Sequence, residues 1–270
     1  MGSINEYVNG ELKCNHHITL APKAQDFNMH AHDVYELYFF ISGNAEYFVE
    51  GNVYKLQPND IMIMRQGETH KLQIKGNASY ERISIHFSPI IVYECIGDTV
   101  LTPFNSRPLG LMNLYRISDF ETDHYISCID TIKKCIDESK DNTYIIAPLI
   151  SLLVEISKAY DNKSQNKVKL KRSLAVEMVD FINKNLFEKL NLQIIADNFY
   201  ISSSQANRVF KKQVGSSIWE YVVIKRLMAA KDMISKGESA STAAEKCGFS
   251  DYSSFWRAYK KQFNQNPKNN

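Results

Sequence analysis

The sequence predicts an α+β chain of two domains: an antiparallel β-barrel of the cupin-like kind carrying two helices, followed by an all-α domain with two helix-turn-helix units. Three observations predict it. The chain has 270 residues, at or above the usual ceiling for one hydrophobic core. Its apolar periodicity changes from short β runs to helical spacing near Asp119 and stays helical to the end. Its charge is divided. Residues 1–160 hold 13 Lys and Arg against 20 Asp and Glu, whereas residues 161–270 hold 19 against 10, so a net charge of +2 conceals an acidic half and a basic half. A basic domain joined to an acidic one points to a polyanion met by the second domain alone. All seven histidines lie in the acidic half and both tryptophans, Trp219 and Trp256, in the basic one.

The front half opens without a basic-then-apolar leader, and no stretch approaches the roughly 18 apolar residues of a membrane span. The expectation is a cytoplasmic protein with no membrane partner. Five cysteines, an odd number with no C-x-x-C pair, argue against a disulfide framework or a cysteine-rich zinc site. From Tyr35 to Ile91 short β runs alternate with Gly, Asn and Pro turns: Tyr35–Ile41, Ala45–Val49, Val53–Leu56, Ile61–Met64 and Arg82–Phe87. This spacing predicts a barrel or sandwich. Tyr125, Cys128, Ile129, Ile132, Cys135 and Ile136 then follow i, i+3, i+4, i+7 spacing. A second helix is expected over Tyr144–Ile156, with Pro148 near its start or at a kink.

Within the barrel, His30-x-His32-x-x-x-Glu36 followed by Gly43, and Gly67-x-x-His70, resemble the two cupin motifs. In metal-binding cupins the three histidines and the glutamate converge on a divalent ion. Histidines two apart on a strand share a face, and imidazole with carboxylate suits Fe, Mn, Ni or Zn. Three readings stand at this point. The set His30, His32, Glu36, Tyr38, Tyr47 and His70 lines a pocket for an organic effector; or His30, His32, Glu36 and His70 hold a metal; or these residues only bond the strands. The first is preferred, with no cofactor.

The segment 161–172 is polar, lysine-rich and without apolar period, as a linker between domains 1–160 and 173–270 would be. Beyond it each helix has a start and a stop. Leu192, Ile195, Ala196 and Phe199 form a short amphipathic helix. Ser202 is an N-cap and Gly215 a stop for the next one, which buries Ala206, Val209 and Phe210. That pair, at about 192–213, is a helix-turn-helix pattern. Ser217-x-x-Glu220 is a capping box opening a long helix, 218–235, closed by Gly237. The pattern recurs over 240–263: Cys247-Gly248-Phe249 makes the turn, and Ser250 caps a helix with Phe255, Tyr259 and Phe263 inward.

These residues carry a resemblance. Arg208-Val-Phe-Lys-Lys-Gln-Val-Gly215, Tyr221-x4-Arg226-Leu-x-x-Ala230 and Cys247-Gly-Phe-Ser-Asp-Tyr-Ser-Ser-Phe-Trp-Arg257 resemble the DNA-binding domain of the AraC/XylS transcription regulators. With the cupin-like front half, the resemblance spans nearly the whole chain. It implies a regulator whose barrel binds a small-molecule effector, commonly a sugar, and whose two recognition helices enter successive major grooves of an operator. The implied DNA-facing residues are Ser203, Ser204, Gln205, Asn207, Arg208, Lys211 and Lys212 in the first unit, and Tyr252, Ser253, Ser254, Arg257, Lys260 and Lys261 in the second. Arg208 and Arg257 match positions that reach base edges, and arginine is the usual bidentate reader of guanine. Departures are Ala206 in place of the usual Leu, a bulky Trp256, and Asn264 in place of Gly. An 18-residue linker helix is about 27 Å long, which brings two recognition helices within reach of one DNA turn of about 34 Å. The resemblance also implies a homodimer through residues 120–160 and contact with RNA polymerase. The competing class is a metal-dependent cupin enzyme with a nucleic-acid-binding tail. No nucleophile arrangement or phosphate-cradling loop favours an enzyme.

Overall fold

The computed structural model describes residues 3–22, 27–165 and 172–267. The strands run, in chain order, β1 (Ser3–Asn9), β2 (Leu12–Thr19), β3 (Tyr35–Ser42), β4 (Ala45–Val49), β5 (Asn52–Lys55), β6 (Ile61–Met64), β7 (His70–Ile74), β8 (Tyr80–Phe87) and β9 (Leu114–Tyr115). They make two sheets, ordered β1-β2-β8-β3-β6-β9 and β5-β4-β7, with every pairing antiparallel. The expected strand ends agree with the structure to within two residues. β1 and β2 were not expected, although Leu12, Cys14 and His16 of β2 alternate inward. Their polar, partly exposed partner residues dilute that alternation.

From Leu37 to Ile41 strand β3 reads as a continuous apolar run because it is covered on both faces. Leu37 and Phe39 meet the helical layer, together with Ile61 and Ile63 of β6. Tyr38 and Phe40 turn into the barrel, where they meet Met62, Met64, Leu72 and Tyr80. Glu36 has the inward parity and lies opposite both Met64 and His86 in register. The outer face is covered by α1 (Ile90–Ile96), α2 (Thr102–Asn105), α3 (His124–Asp137) and α4 (Asn142–Gln165). Pro148 lies inside α4, at its seventh residue, because the helix begins at Asn142, two residues before the expected Tyr144. The apolar stripe expected on α3, Ile132 included, is buried against the sheet and α4. The surplus apolar surface that suggested subunit pairing there is therefore already taken up within the chain. Helix α4 also continues through residues 161–165 of the expected linker, and residues 166–171 of that linker lie outside the described residues.

The second half contains α5 (Leu174–Lys184), α6 (Leu192–Asn198), α7 (Ser203–Val214), α8 (Ile218–Ser235), α9 (Ala240–Lys246) and α10 (Tyr252–Phe263). Its caps follow from local chemistry. Ser202 Oγ accepts from the Gln205 amide, and Gly215 ends α7 at φ +93°, a conformation glycine adopts without a Cβ penalty. Ser217 and Glu220 form the capping box of α8. One expected cap is corrected: α10 is opened by Asp251, whose carboxylate accepts from the Ser254 amide at 2.7 Å, and not by Ser250. A carboxylate at a helix N-terminus also meets the positive end of the dipole, which a hydroxyl does not match. Asn264 ends α10 in the left-handed region at φ +53°, doing what glycine would do there. Ala206 is fully enclosed in the core of the first unit with Phe210 and Tyr221. The second unit has its own core around Phe255, Tyr259 and Leu227.

The domains meet at the β4–β5 turn. Gly51 at φ +83° packs so closely that a Cβ there would lie 3.4 Å from Val176 of α5 and 3.5 Å from Val214 of α7. Beside it, Glu50 is buried, with its carboxylate accepting from the Tyr221 hydroxyl, from Lys225 Nζ at 3.1 Å and from the Thr69 amide at 2.7 Å. Lys225 also donates to Gly67 O, and Lys71 Nζ to Gly215 O.

Candidate functional site

Two sites emerge, one at the mouth of the barrel and one along the recognition helices. At the mouth, an isolated bridge pairs His30 with His70, bringing the segment before β3 onto the end of β7. His32 follows two residues later, Glu36 lies on β3, and His86 comes from β8. The four imidazoles and the carboxylate converge. Glu36 Oε2 is 3.0 Å from His70 Nε2, 3.5 Å from His32 Nε2 and 3.7 Å from His86 Nε2, while His32 Nε2 and His86 Nε2 are 3.3 Å apart. Two sets of ligand atoms, His30/His32/His70 and His32/Glu36/His86, each lie within 4.8 Å of one another.

Burial lowers His30 to about 4, with the nearby His70 adding to the effect. Burial likewise lowers His32 and His86. Burial alone would raise Glu36, but the surrounding rings, His70 foremost, hold it well below the usual carboxylate range. His70 moves the other way: burial would lower it, and the Glu36 carboxylate overrides that. The mouth therefore pairs an ionised carboxylate with His70, the ring most inclined to hold a proton, while burial pushes the other three imidazoles toward the neutral form.

Four of the sequence-predicted residues, His30, His32, Glu36 and His70, meet in this cluster. Tyr38 and Tyr47 lie below it as packed core. Their rings are 4.8 Å apart, Tyr47 stacks on His70 at 5.9 Å, and the Tyr38 hydroxyl bonds that of Tyr80. Sequence reasoning missed His86. The parity of Arg82, Ser84 and His86 along β8 would have placed them on one face, but only the register with β3 shows that His86 faces Glu36.

On the helices, Ser204, Gln205, Arg208, Lys211 and Lys212 of α7 are exposed, as are Tyr252, Ser253, Arg257, Lys260 and Lys261 of α10. Ser203 and Ser254 are half-buried; the first donates to Gln193 and the second accepts from Arg257 Nη2 at 3.3 Å. Asn207 is turned inward, and its side-chain oxygen caps α8 through the Ile218 amide at 3.0 Å. Trp256 is half-buried, with Lys260 Nζ 5.0 Å over its ring. Lys211 and Lys261 line a cleft of about 700 Å³ between the two domains, together with His30, Lys71 and Trp219. The two recognition helices sit at opposite ends of α8, tied through it by Arg226. That side chain is buried and donates to Leu186 O at 3.0 Å, Glu188 O at 2.9 Å and Gly248 O at 2.7 Å. The sequence shows Arg226 only as a motif residue, because its partners are backbone carbonyls without sequence identity.

Comparison with known proteins finds two family matches. Residues 18–127 match the AraC-like ligand binding domain, and residues 195–269 match a helix-turn-helix domain. The chain is 25% identical over 240 residues to the "Probable transcriptional regulator LumQ" of Photobacterium leiognathi, covering 88% of this chain and 89% of that one. It is 22% identical over 269 residues to the HTH-type transcriptional activator RhaS of Shigella flexneri, covering 94% and 92%. Among solved structures, ToxT from Vibrio cholerae O395 aligns over 95% of both chains at 13% identity and a TM-score of 0.42.

Proposed function

The chain belongs to the AraC-type transcription regulators, and on that premise we propose how its parts divide the work. It is a DNA-binding regulator with an N-terminal ligand-binding domain and a C-terminal helix-turn-helix domain. Arg208 and Arg257 read base edges, and Lys212 and Lys260 contact phosphates. One observation supports this above all others: two capped helix-turn-helix units share a single 18-residue helix, the first packing on Ile218, Tyr221 and Val222 and the second on Leu227, Ala230 and Ile234, each with an exposed arginine. The effector enters at the histidine-lined mouth. The sugar that the resemblance suggested would have to pack on Tyr35, Tyr38, Tyr47 or Phe48, all of which are buried. The reading is of a regulator rather than an enzyme, since the relatives are regulators. No helix among the described residues is long and apolar enough to cross a membrane; the cytoplasmic location is proposed from the DNA-binding reading alone. The proposal keeps the homodimer through residues 120–160 and the contact with RNA polymerase that the resemblance implied, the dimer now resting on the outward face that carries the exposed Tyr144 and not on the buried stripe of α3. Because Ile132 is fully buried, the dimer is tested at the exposed Tyr144: Tyr144→Asp should yield a monomer by light scattering while the unmodified chain is a dimer.

The decisive experiment selects bound duplexes from a random DNA pool with the purified full chain. Enrichment of a site with two half-sites about one helical turn apart supports the reading. Recovery of unrelated sequences, bound equally well, refutes it.

A further inference from the structure

We propose that the barrel mouth is a binding site for a divalent first-row transition-metal ion, held by His32 and Glu36 with the Nε2 atoms of His30, His70 and His86 around them, and that this ion is the regulatory ligand of the front domain. The inference rests on the reading of that domain as the ligand-binding half of a DNA-binding regulator, and it names the chemistry that the domain senses.

Hydrogen-bond accounting carries it. A backbone carbonyl can only accept, so His30 Nδ1, 2.8 Å from Asn28 O, must bear a proton, as must His70 Nδ1, 2.9 Å from Glu68 O. In the neutral ring each Nε2 is then left with its lone pair facing the cluster. A second nitrogen bound to a carbonyl is the usual way a metal-ligating imidazole is oriented. His70 Nε2 and Glu36 Oε2 are both buried and lie 3.0 Å apart. A proton on His70 would satisfy that pair alone, whereas a metal ion at the cluster would engage it together with His30, His32 and His86.

The separations have the right size. Metal–nitrogen bonds of about 2.0–2.1 Å place adjacent donors roughly 3.0 Å apart in an octahedron and roughly 3.4 Å apart in a tetrahedron. Of the observed donor pairs, those at 3.0 and 3.3 Å match these edges, and those at 3.5 and 3.7 Å exceed the longer edge by a few tenths of an ångström. The donors are imidazole and carboxylate, with no thiolate, a set that suits Zn, Fe, Mn or Ni rather than Cu(I). His86 strengthens the case independently of the sequence motif: the β3–β8 register sets it opposite Glu36 and completes a second triad. Tyr47, stacked under His70, closes the space beneath, which favours an ion over a bulky organic ligand.

The test uses the full chain stripped with a chelator and then titrated with Zn²⁺, Ni²⁺ and Mn²⁺ by calorimetry, with bound metal measured by elemental analysis. One ion per chain is expected. His86→Gln should weaken binding at least tenfold, whereas His17→Gln, outside the cluster, should not; far-UV circular dichroism checks that both variants fold. With the selected operator duplex, the metal should shift DNA affinity at least fivefold in the unmodified chain and not in His86→Gln. Failure to bind any of the three ions overturns the proposal. So does metal binding without an effect on DNA affinity, since the ion would then be structural. In both cases selective operator binding leaves the regulator reading intact, and only the loss of that binding in the untreated chain would count against it.

Discussion

Arg226→Met tests whether one guanidinium holds the two DNA-reading units together. The side chain is almost wholly buried, and its fork donates to Leu186 O and Glu188 O beside the first unit and to Gly248 O in the turn of the second. Methionine keeps most of the volume and none of the donors. A hydrogen bond from a charged group contributes roughly 1.5–3 kcal/mol, and the terms are not additive, because a freed carbonyl near the surface recovers water. The expected loss for three such bonds is about 4 kcal/mol, near the range for breaking a buried charged network. Arg226→Lys keeps the charge but cannot fork to three carbonyls, so about 2 kcal/mol is expected. Both tryptophans lie in this domain, so their fluorescence during urea unfolding isolates it from the barrel. A second readout is specific to the geometry: affinity for a duplex with both half-sites should fall more than affinity for one half-site. A loss under about 1 kcal/mol, or equal losses on the two duplexes, would refute the cross-link argument.

Three further outcomes are expected. Arg208→Ala and Arg257→Ala should each weaken selected-site binding by about 1–3 kcal/mol and relax preference at one position; Lys212→Ala should lower the salt slope by about one unit with little change in preference, measured by fluorescence anisotropy. Tyr221→Phe removes the hydroxyl that donates to Glu50 and accepts from Asn183 Nδ2, and should cost about 1.5–3 kcal/mol in urea unfolding. A double-mutant cycle with Glu50→Gln that shows no coupling would contradict the contact. The last concerns acid. Burial would raise Glu81 and Asp137, but Lys133 and His16 lower the first, and Asn5 and His16 the second. Groups depressed in the folded state stabilise it above their unfolded values, near 4, and this contribution fades as pH falls through the folded values. Thermal stability should therefore drop below about pH 4.5, and Glu81→Gln should flatten that slope.

The sequence discloses most where chemistry is local. The helix ends at Ser202, Gly215 and Ser217 are legible because a cap is a side chain acting on its own backbone neighbours. Tyr38 and Tyr47 are aromatic residues on inward positions, and alternation alone cannot tell a pocket wall from a filled interior. His86 is legible only through pairing with a strand more than forty positions away, a long-range fact that no window along the chain contains. Asn207 points the same way: on a helical wheel it is a polar outward position, yet its oxygen is spent on the Ile218 amide. Glu50, at φ +47° in a turn, reads as a solvated loop residue; only the packing of the second domain makes it buried.

The Glu50 carboxylate gives the domain contact an all-or-none character. Thr69, Tyr221 and Lys225 donate to the same two oxygens, so a slight parting of the domains strands a charge between protein and water before solvent can enter. Any half-open arrangement would therefore be less favourable than either a docked contact or a fully hydrated one. Thr69 is the chain neighbour of His70, and the peptide bond between them belongs to both the histidine cluster and the contact with the helical domain. A displacement of His70 at the mouth would thus be felt directly at the backbone that holds Glu50.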